Sequence, residues 1–548
     1  MKRFCTFLTL LGFVLTSYLG QAQTRYLDEV FTEVQVTDTV TYGVNVSILP
    51  IILGQSATPL PVPLKMDVYQ PVGDTASQRA LIIFGLTGTF FPAYVNGGFT
   101  GELKDSTNVA FATRMAKRGY VVAVVQYRRG WNAIGSEIDQ QKTILQAAYR
   151  GIQDIRNAVR YFRKTSAEDG NPWKVDVDHI AVGGTGTGGY MSYGATYLKS
   201  FDQILLQKFI DFDEDPPAPF VDTLLLGDVY GVKPGLINVP NFPTYSSDFN
   251  VGFALGGALG DSSWVDKGDV PFISAHSYKD PAAPPRVGDV LAVNPSTGEP
   301  FAVIPSASGG YGVIQRSVAL GNQAVLDDVD WWAFPFDTFV GEISTRAEAI
   351  DEGNTGLYPF ITPYTPGDAM CLGVGVPGDT LVEWTSPWNW YNEVVGAGTW
   401  DAVFAAQIAA GQQMTGAQAV CRNNRGAPND PAAAKMYVDT IVSYISSRIG
   451  VVMDLFPVRT VGIEDYIQDE NLQVYPNPAQ DLMIVNYRDN AKLIKEITLM
   501  DFTGRSIRTY NNLNRSQAEI SRDGLPTGVY LLRIKVDKSY TMKKVIFN

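Results

Sequence analysis

The sequence predicts an α/β domain, a mostly parallel sheet with covering helices and a large insertion, followed by a small C-terminal all-β sandwich. Three observations carry this. Ala80–Phe84, Tyr120–Val125 and His179–Gly183 are short apolar runs, the mark of strands buried on both faces. Between the last two, Leu145, Ala148, Ile152, Ile155, Val159 and Phe162 recur at 3–4 spacing, giving a helix one apolar face. Near the C-terminus, Leu482–Asn486, Glu496–Asp501, Gly528–Val536 and Thr541–Phe547 are short alternating runs, punctuated by Asp523-Gly524 and Pro526-Thr527-Gly528, the pattern of a small antiparallel unit.

A chain of 548 residues suits one large domain with small appendages. With 45% apolar residues it is built to form a core. Lys and Arg number 43 against 56 Asp and Glu, a net charge of −13, which argues against nucleic acid or an anionic membrane surface as partner. Three Cys and two His in the whole chain argue against zinc fingers, haem or a multi-histidine metal site.

The N-terminus reads as a secretory signal over residues 1–22. Lys2 and Arg3 precede an apolar run from Phe7 to Leu19, and Gly20 and Ala22 give a small-x-small cleavage pattern before Gln23. The run is too short for a transmembrane span. Its removal takes away Lys2, Arg3 and Cys5 and leaves Cys371 and Cys421. Two cysteines in an exported chain invite a disulfide, with two buried thiols as the alternative.

Residues 23–457 form the expected α/β domain, closed by a second amphipathic stripe of Val438, Ile441, Val442, Ile445 and Ile449. Within it, residues 286–430 are rich in Gly and Pro, and residues 331–400 hold six of the nine Trp. We read 286–430 as an insertion or cap. Its Trp331-Trp332 and Trp388-Asn389-Trp390-Tyr391 clusters form either its own core or a ligand platform. A linker over 458–470 leads to residues 471–548.

That final segment differs in charge. Residues 462–548 hold 12 Lys and Arg against 11 acidic residues, whereas residues 23–461 hold 29 against 45. Leu472-Gln473-Val474-Tyr475-Pro476-Asn477-Pro478, Asp501-Phe502-Thr503-Gly504-Arg505, Gly528-Val529-Tyr530 and Lys543-Lys544 follow in order. The segment resembles the C-terminal sorting domain of type IX secretion system cargo of Bacteroidetes. The resemblance implies the type IX machinery as partner, and a secreted or cell-surface location. A carbohydrate-binding sandwich is the other reading.

Residues 64–285 resemble an α/β-hydrolase-fold esterase of the secreted carboxylesterase type. The matching blocks are Leu64–Pro71, Arg118-Gly119-Tyr120-Val121-Val122 with Gln126-Tyr127-Arg128-Arg129, and Tyr149–Asp154 with Ala158-Val159-Arg160-Tyr161. In that family the nucleophile sits in a G-x-S-x-G turn between strand and helix. Here the turn reads Gly184-Thr185-Gly186-Thr187-Gly188, so Gly186 stands at the serine position. Glycine tolerates such a backbone, and the turn can persist without its nucleophile. Thr185 and Thr187 flank it, but a neighbour's side chain leaves the turn in another direction.

The oxyanion loop implied by the resemblance covers Gly85, Leu86 and Thr87, in the stretch Phe84–Phe90 that lacks the family's histidine. Asp280, in the block Val270–Pro281, is the counterpart of the triad acid, and His276 matches a strand-end histidine. The catalytic histidine is expected after Asp280, yet no histidine follows His276. His179 lies at the start of the nucleophile strand. A rescue pairing His276 with a nearby serine such as Ser277 is conceivable, but adjacent strand residues face opposite ways, which argues against it. Losing a triad nucleophile or base costs on the order of 10⁶ in turnover.

No cofactor is expected. The acidic runs Asp211–Asp215 and Asp327–Asp330 suit structural Ca²⁺ at most, since neither completes a twelve-residue loop. Two functions remain open: a catalytically degenerate, exported binding protein for an ester or carbohydrate-like ligand, and an active carboxylic-ester hydrolase with a relocated nucleophile.

Overall fold

The computed structural model describes residues 23–96, 100–333, 335–350, 355–361, 386–390, 431–458, 471–488, 492–501, 506–536 and 539–548. The expected signal segment, Cys371, Cys421 and all but the first residue of the expected linker 458–470 lie outside the described residues.

The large domain is organised by one eight-stranded sheet. Its strands are β1 (Val34–Ser47), β2 (Leu60–Pro71), β3 (Arg79–Gly85), β4 (Val121–Val125), β5 (Val175–Gly184), β6 (Val251–Leu255), β7 (Phe272–Ser277) and β8 (Leu357–Phe360). They lie in the order β1-β2-β4-β3-β5-β6-β7-β8. β1 and β2 are antiparallel to their neighbours, and the six from β4 to β8 run parallel. This is the α/β-hydrolase arrangement that the resemblance implies.

The apolar runs are buried on both faces, and the alternation of side chains decides which helices they meet. Leu81, Ile83, Val121, Ala123, Ile180 and Val182 point to the face covered by α2 (Glu137–Glu168) and α3 (Thr187–Tyr197). Ile82, Phe84, Val122, Val124, Ala181 and Phe253 point to the other, covered by α1 (Ser106–Lys117) and α6 (Pro431–Val452). The expected stripe of α6, Val438 to Ile449, is buried there. On α2, Ile152, Ile155, Val159 and Phe162 are buried while Leu145 and Ala148 are only partly so.

The start of α2 is set locally. Ser136 accepts from the Asp139 N–H at 3.2 Å while Asp139 accepts from the Ser136 N–H at 3.2 Å, a reciprocal capping box that satisfies two otherwise orphaned donors. Further along, the guanidinium of Arg128 meets Asp154 at 2.9 Å with both side chains wholly buried. Arg156 donates to the carbonyls of Val229, Ala195 and Leu198. Polar groups on this helix therefore anchor the long loop from residue 226 to 241.

The stretch 286–430 is more than the expected insertion or cap. Leu357–Phe360 lies within it and forms β8, whose Leu357 pairs with Ser274 of β7. Four residues are too few for an apolar run to stand out, and they pair only because β7 offers an open edge. The segment also supplies an antiparallel pair, Val287–Val293 with Pro300–Gly309, and helices α4 (Gly310–Ala319) and α5 (Thr338–Ile350). Trp331 and Trp388 are buried core residues, so of the two readings for those aromatics these two side chains take the core one.

The tail forms two facing sheets. β9 (Leu472–Tyr475), β10 (Leu482–Tyr487) and β13 (Gln517–Ser521) make one; β12 (Ser506–Tyr510), β11 (Ile494–Asp501), β14 (Gly528–Val536) and β15 (Ser539–Phe547) make the other. Met483, Val485, Ile497, Leu499, Ile520, Leu532 and Val545 fill the space between them, one face of each alternating strand. Among the described residues no helix is long and apolar enough to cross a membrane.

Candidate functional site: the turn after β5

The turn between β5 and α3 keeps its strained shape. Gly186 has φ +54 and ψ −115, a region that side chains rarely enter. Its N–H donates to the Leu255 carbonyl at 2.9 Å, and its own carbonyl accepts from Tyr190 at 3.1 Å. Two residues on, α3 presses against β3: a Cβ on Gly188 would come 2.0 Å from the Gly85 oxygen. Two glycines thus hold the turn, one for its dihedrals and one for close approach.

The space where a nucleophile's side chain would start is occupied. A Cβ on Gly186 would lie 2.2 Å from the Thr87 hydroxyl oxygen and 3.0 Å from the Thr87 Cβ. Thr87 therefore faces the turn with a side chain, while the other two residues of the expected oxyanion loop are tied into the sheet. Leu86 donates its N–H to the Val125 oxygen at 3.4 Å, and the Gly85 oxygen accepts from Thr185 at 3.1 Å.

The two threonines point to different surroundings. Thr185 is fully buried, and its hydroxyl accepts from the Trp388 indole N–H at 3.2 Å. Thr187 shares a hydrogen bond of 2.8 Å with the Tyr127 hydroxyl. Burial raises the Tyr127 pKa far above its ordinary value, so the phenol stays protonated and cannot take a proton from Thr187 at neutral pH.

Asp280 lies three residues beyond the end of β7. One carboxylate oxygen accepts from the Ala282 and Ala283 N–H groups at 2.9 and 3.0 Å. The other lies 3.6 Å from His276 Nε2, beyond hydrogen-bond range. His276 is wholly buried: Nε2 donates to the Ala283 carbonyl at 3.0 Å, and Nδ1 accepts from the Gly310 N–H at 3.1 Å. With that assignment of the proton, both ring nitrogens are engaged by backbone. Burial pulls its pKa down to about 4, so the ring is neutral and structural at pH 7. Ser277, its neighbour, is buried as well.

His179 pairs with Asp176 at 2.8 Å. It sits seven residues before the turn, roughly 23 Å away at strand rise. The fold therefore brings Thr87, Gly186, Thr187 and Tyr127 together, and His179 stays apart from them. The contacts of Tyr127 with Thr187 and of Trp388 with Thr185 were not legible in the sequence, because the partners lie 60 and 203 residues apart in the chain.

Asp105 stands just before α1, and its carboxylate turns back to accept from the Gly101 and Glu102 N–H groups at 2.7 and 3.1 Å rather than from the helix's first turn. Burial pushes its carboxyl up to about 7. Of the acidic runs, Asp211 and Glu214 both meet Lys142, Asp327 accepts from Thr355, and Asp330 accepts from the Trp332 N–H. Among the described residues no three His, Cys, Asp or Glu gather where they could hold a metal ion.

In the tail, Asn477 joins the first block to the last strand. Its side chain accepts from the Ile546 N–H at 2.9 Å and donates to the Lys544 carbonyl at 3.0 Å. The spacing of blocks along the sequence is thus a spatial closure of the sandwich. Residues 473–548 match the secretion system C-terminal sorting domain. The sorting domain indicates export through the type IX secretion system, to the cell surface or the medium. It implies that the secretion machinery is a partner of this chain.

The solved structures similar to this chain include Thermogutta terrifontis esterase 2 phosphorylated by paraoxon, at 17% identity and a TM-score of 0.26, covering 46% of this chain and 73% of that one. The butyrate-bound form of the same esterase aligns at 16% identity and a TM-score of 0.25, covering 41% and 70%. None of the curated proteins matches the chain. The strand order and the turn after β5 carry the fold assignment, and fold alone does not confer activity.

Proposed function

We propose that this chain is an exported α/β-hydrolase-fold protein that has lost ester hydrolysis and acts by binding, with residues 1–22 as signal peptide, 23–457 as the hydrolase-like domain, 458–470 as linker and 471–548 as the sorting domain. One observation carries the reading. At Gly186 there is no side chain, and the Thr87 side chain fills the place where one would begin. The neutral, backbone-bound His276 supports it, because the only histidine near Asp280 has no free nitrogen for base catalysis. The ligand class that fits the fold's history is an ester or a carbohydrate-like molecule, bound at the outer cell surface or in the medium.

The second reading is an active carboxylic-ester hydrolase with a relocated nucleophile. It draws on the Thr187 hydroxyl, which stands at the first position of α3 beside Tyr127, and on Asp280 after β7. Intact-mass labelling with a fluorophosphonate, run beside a short-chain ester assay, separates the two. The degenerate reading expects no adduct and no turnover. A stoichiometric adduct with turnover overturns it, and peptide mapping then identifies the nucleophile.

A further inference from the structure

Four guanidinium groups are buried along α2: Arg150, Arg156 and Arg160 on the helix, and Arg128 on the loop after β4. Each brings a full charge and five N–H donors into the core, and both must be answered there. For three of the four the protein answers them. Arg128 meets Asp154, the Gln153 side chain and the Ile237 carbonyl. Arg156 reaches three carbonyls and lies over the Tyr230 ring at 4.2 Å. Arg160 donates to the Asn241 and Tyr230 carbonyls.

Arg150 is the exception. Its side chain is fully buried, and Nη2 donates to the Gly130 carbonyl at 2.6 Å. Nε and Nη1 have no hydrogen-bond partner among the described residues. Those two nitrogens carry three of the five donors of a guanidinium.

Its charge is unanswered as well. Among the described residues, Arg128 repels it and Asp154 attracts it. Both Asp154 oxygens are already held by the Arg128 Nε, and one also accepts the Arg128 backbone N–H. Two cations thus share one carboxylate, which leaves one positive charge in excess away from solvent. Burial, and then Arg128, pull the Arg150 pKa down to about 9, so the group is still charged at pH 7.

Water would satisfy the donors and leave the excess charge in place, whereas an anion satisfies both. A carboxylate or phosphate ester would bring the rest of its molecule into the core; a halide brings only itself. Gly130, whose carbonyl Arg150 holds, packs against Ile52, and Ile52 is exposed. The surface is therefore one side chain away from that glycine.

We propose that the Arg150 guanidinium is the binding site of a single chloride ion, which ties α2 to the loop after β4. Neither Arg150 nor Gly130 belongs to the turn after β5, so the proposal goes beyond the functional reading and does not depend on it.

The test compares the full chain in sodium chloride and in sodium gluconate at equal ionic strength, and locates bromide in crystals of the same chain by anomalous scattering. A higher thermal midpoint in chloride is expected, with a bromide peak beside Arg150. At a hundred times its Kd, chloride raises the folded-to-unfolded ratio about 100-fold. Arg150→Met removes charge and donors together, and should melt alike in the two salts and show no peak. If that variant does not fold, the two readouts on the parent decide. No bromide peak, or a chloride response that persists in folded Arg150→Met, overturns the proposal. A peak without any chloride response marks an adventitious ion only, and overturns it too. Fluorophosphonate labelling reads the turn after β5 alone, so the two outcomes stay distinguishable.

Discussion

The hydroxyl oxygen of Thr87 lies 2.2 Å from the point where a side chain on Gly186 would begin. β3 and β5 are neighbours in the sheet, so the loop leaving one strand reaches the turn leaving the other. The two residues are 99 positions apart and form one structural unit. A serine restored at Gly186 meets both a positive φ and an occupied space, which sets the first expectation.

Gly186→Ser should destabilise the chain by about 1–3 kcal/mol, the range for a strained backbone, and restore no ester hydrolysis. Adding Thr87→Gly should recover part of the lost stability and still give no turnover, because no base is supplied. Urea melts and a nitrophenyl-ester assay of both variants check this. Turnover in the double variant above the background would show that a base is present after all.

The buried pair Arg128–Asp154 should be costly to break from one side. Asp154→Ala leaves the Arg128 guanidinium without its carboxylate in the core between α2 and the 226–241 loop. A loss of about 3–5 kcal/mol is expected. Replacing an exposed ion-pair member, Lys164→Ala, should leave stability almost unchanged, because solvent screens that pair. Chemical denaturation of the two variants provides the comparison.

Two buried groups should give opposite pH dependences. His276 titrates near 4 in the folded chain, against an ordinary value of 6.5 once the chain unfolds. The unfolded chain therefore binds the proton first, and stability is lost as pH falls from 6.5 towards 4, on the order of 3 kcal/mol. Asp105 is the reverse, near 7 folded against 3.8. Its contribution is full below about 4 and is lost as pH rises towards 7, on the order of 4 kcal/mol. The two slopes oppose one another between pH 4 and 6.5. Asp105→Asn should expose the acid-side loss, and His276→Gln the fall towards neutral pH. A pH series of thermal melts of the three proteins checks both slopes.

Deleting residues 473–548 should abolish export without unfolding the rest, since the sandwich has its own core of Met483, Val485, Leu499, Ile520 and Leu532. Cell fractionation followed by a melt of the same truncated chain, purified, reads both outcomes. A truncated chain that still reaches the cell surface would remove the sorting role.

Much of the scaffold was legible because it rests on local regularities. Runs such as Ala80–Phe84 and the stripe Val438 to Ile449 announce buried strands and a covering helix through periodicity alone. β8 was not legible, because Leu357–Phe360 is four residues long and owes its strand to the edge of β7. Trp388 was one of several clustered aromatics in sequence. Its place in the core and its bond to Thr185 depend on a contact across 203 residues.

By itself the sequence determined which atoms are available for chemistry: no serine at position 186, no histidine after His276, and a tail with the four spaced blocks of a sorting domain. Composition and order along a chain settle such questions, because a missing functional group cannot be supplied by folding. Only the tertiary structure decided what the remaining groups do. It turned Thr87 into the space at Gly186, joined Thr187 to Tyr127, and engaged both nitrogens of His276 with backbone. Each of these is a contact between residues on different strands, helices or loops, set by sheet order and side-chain direction, which no local pattern encodes.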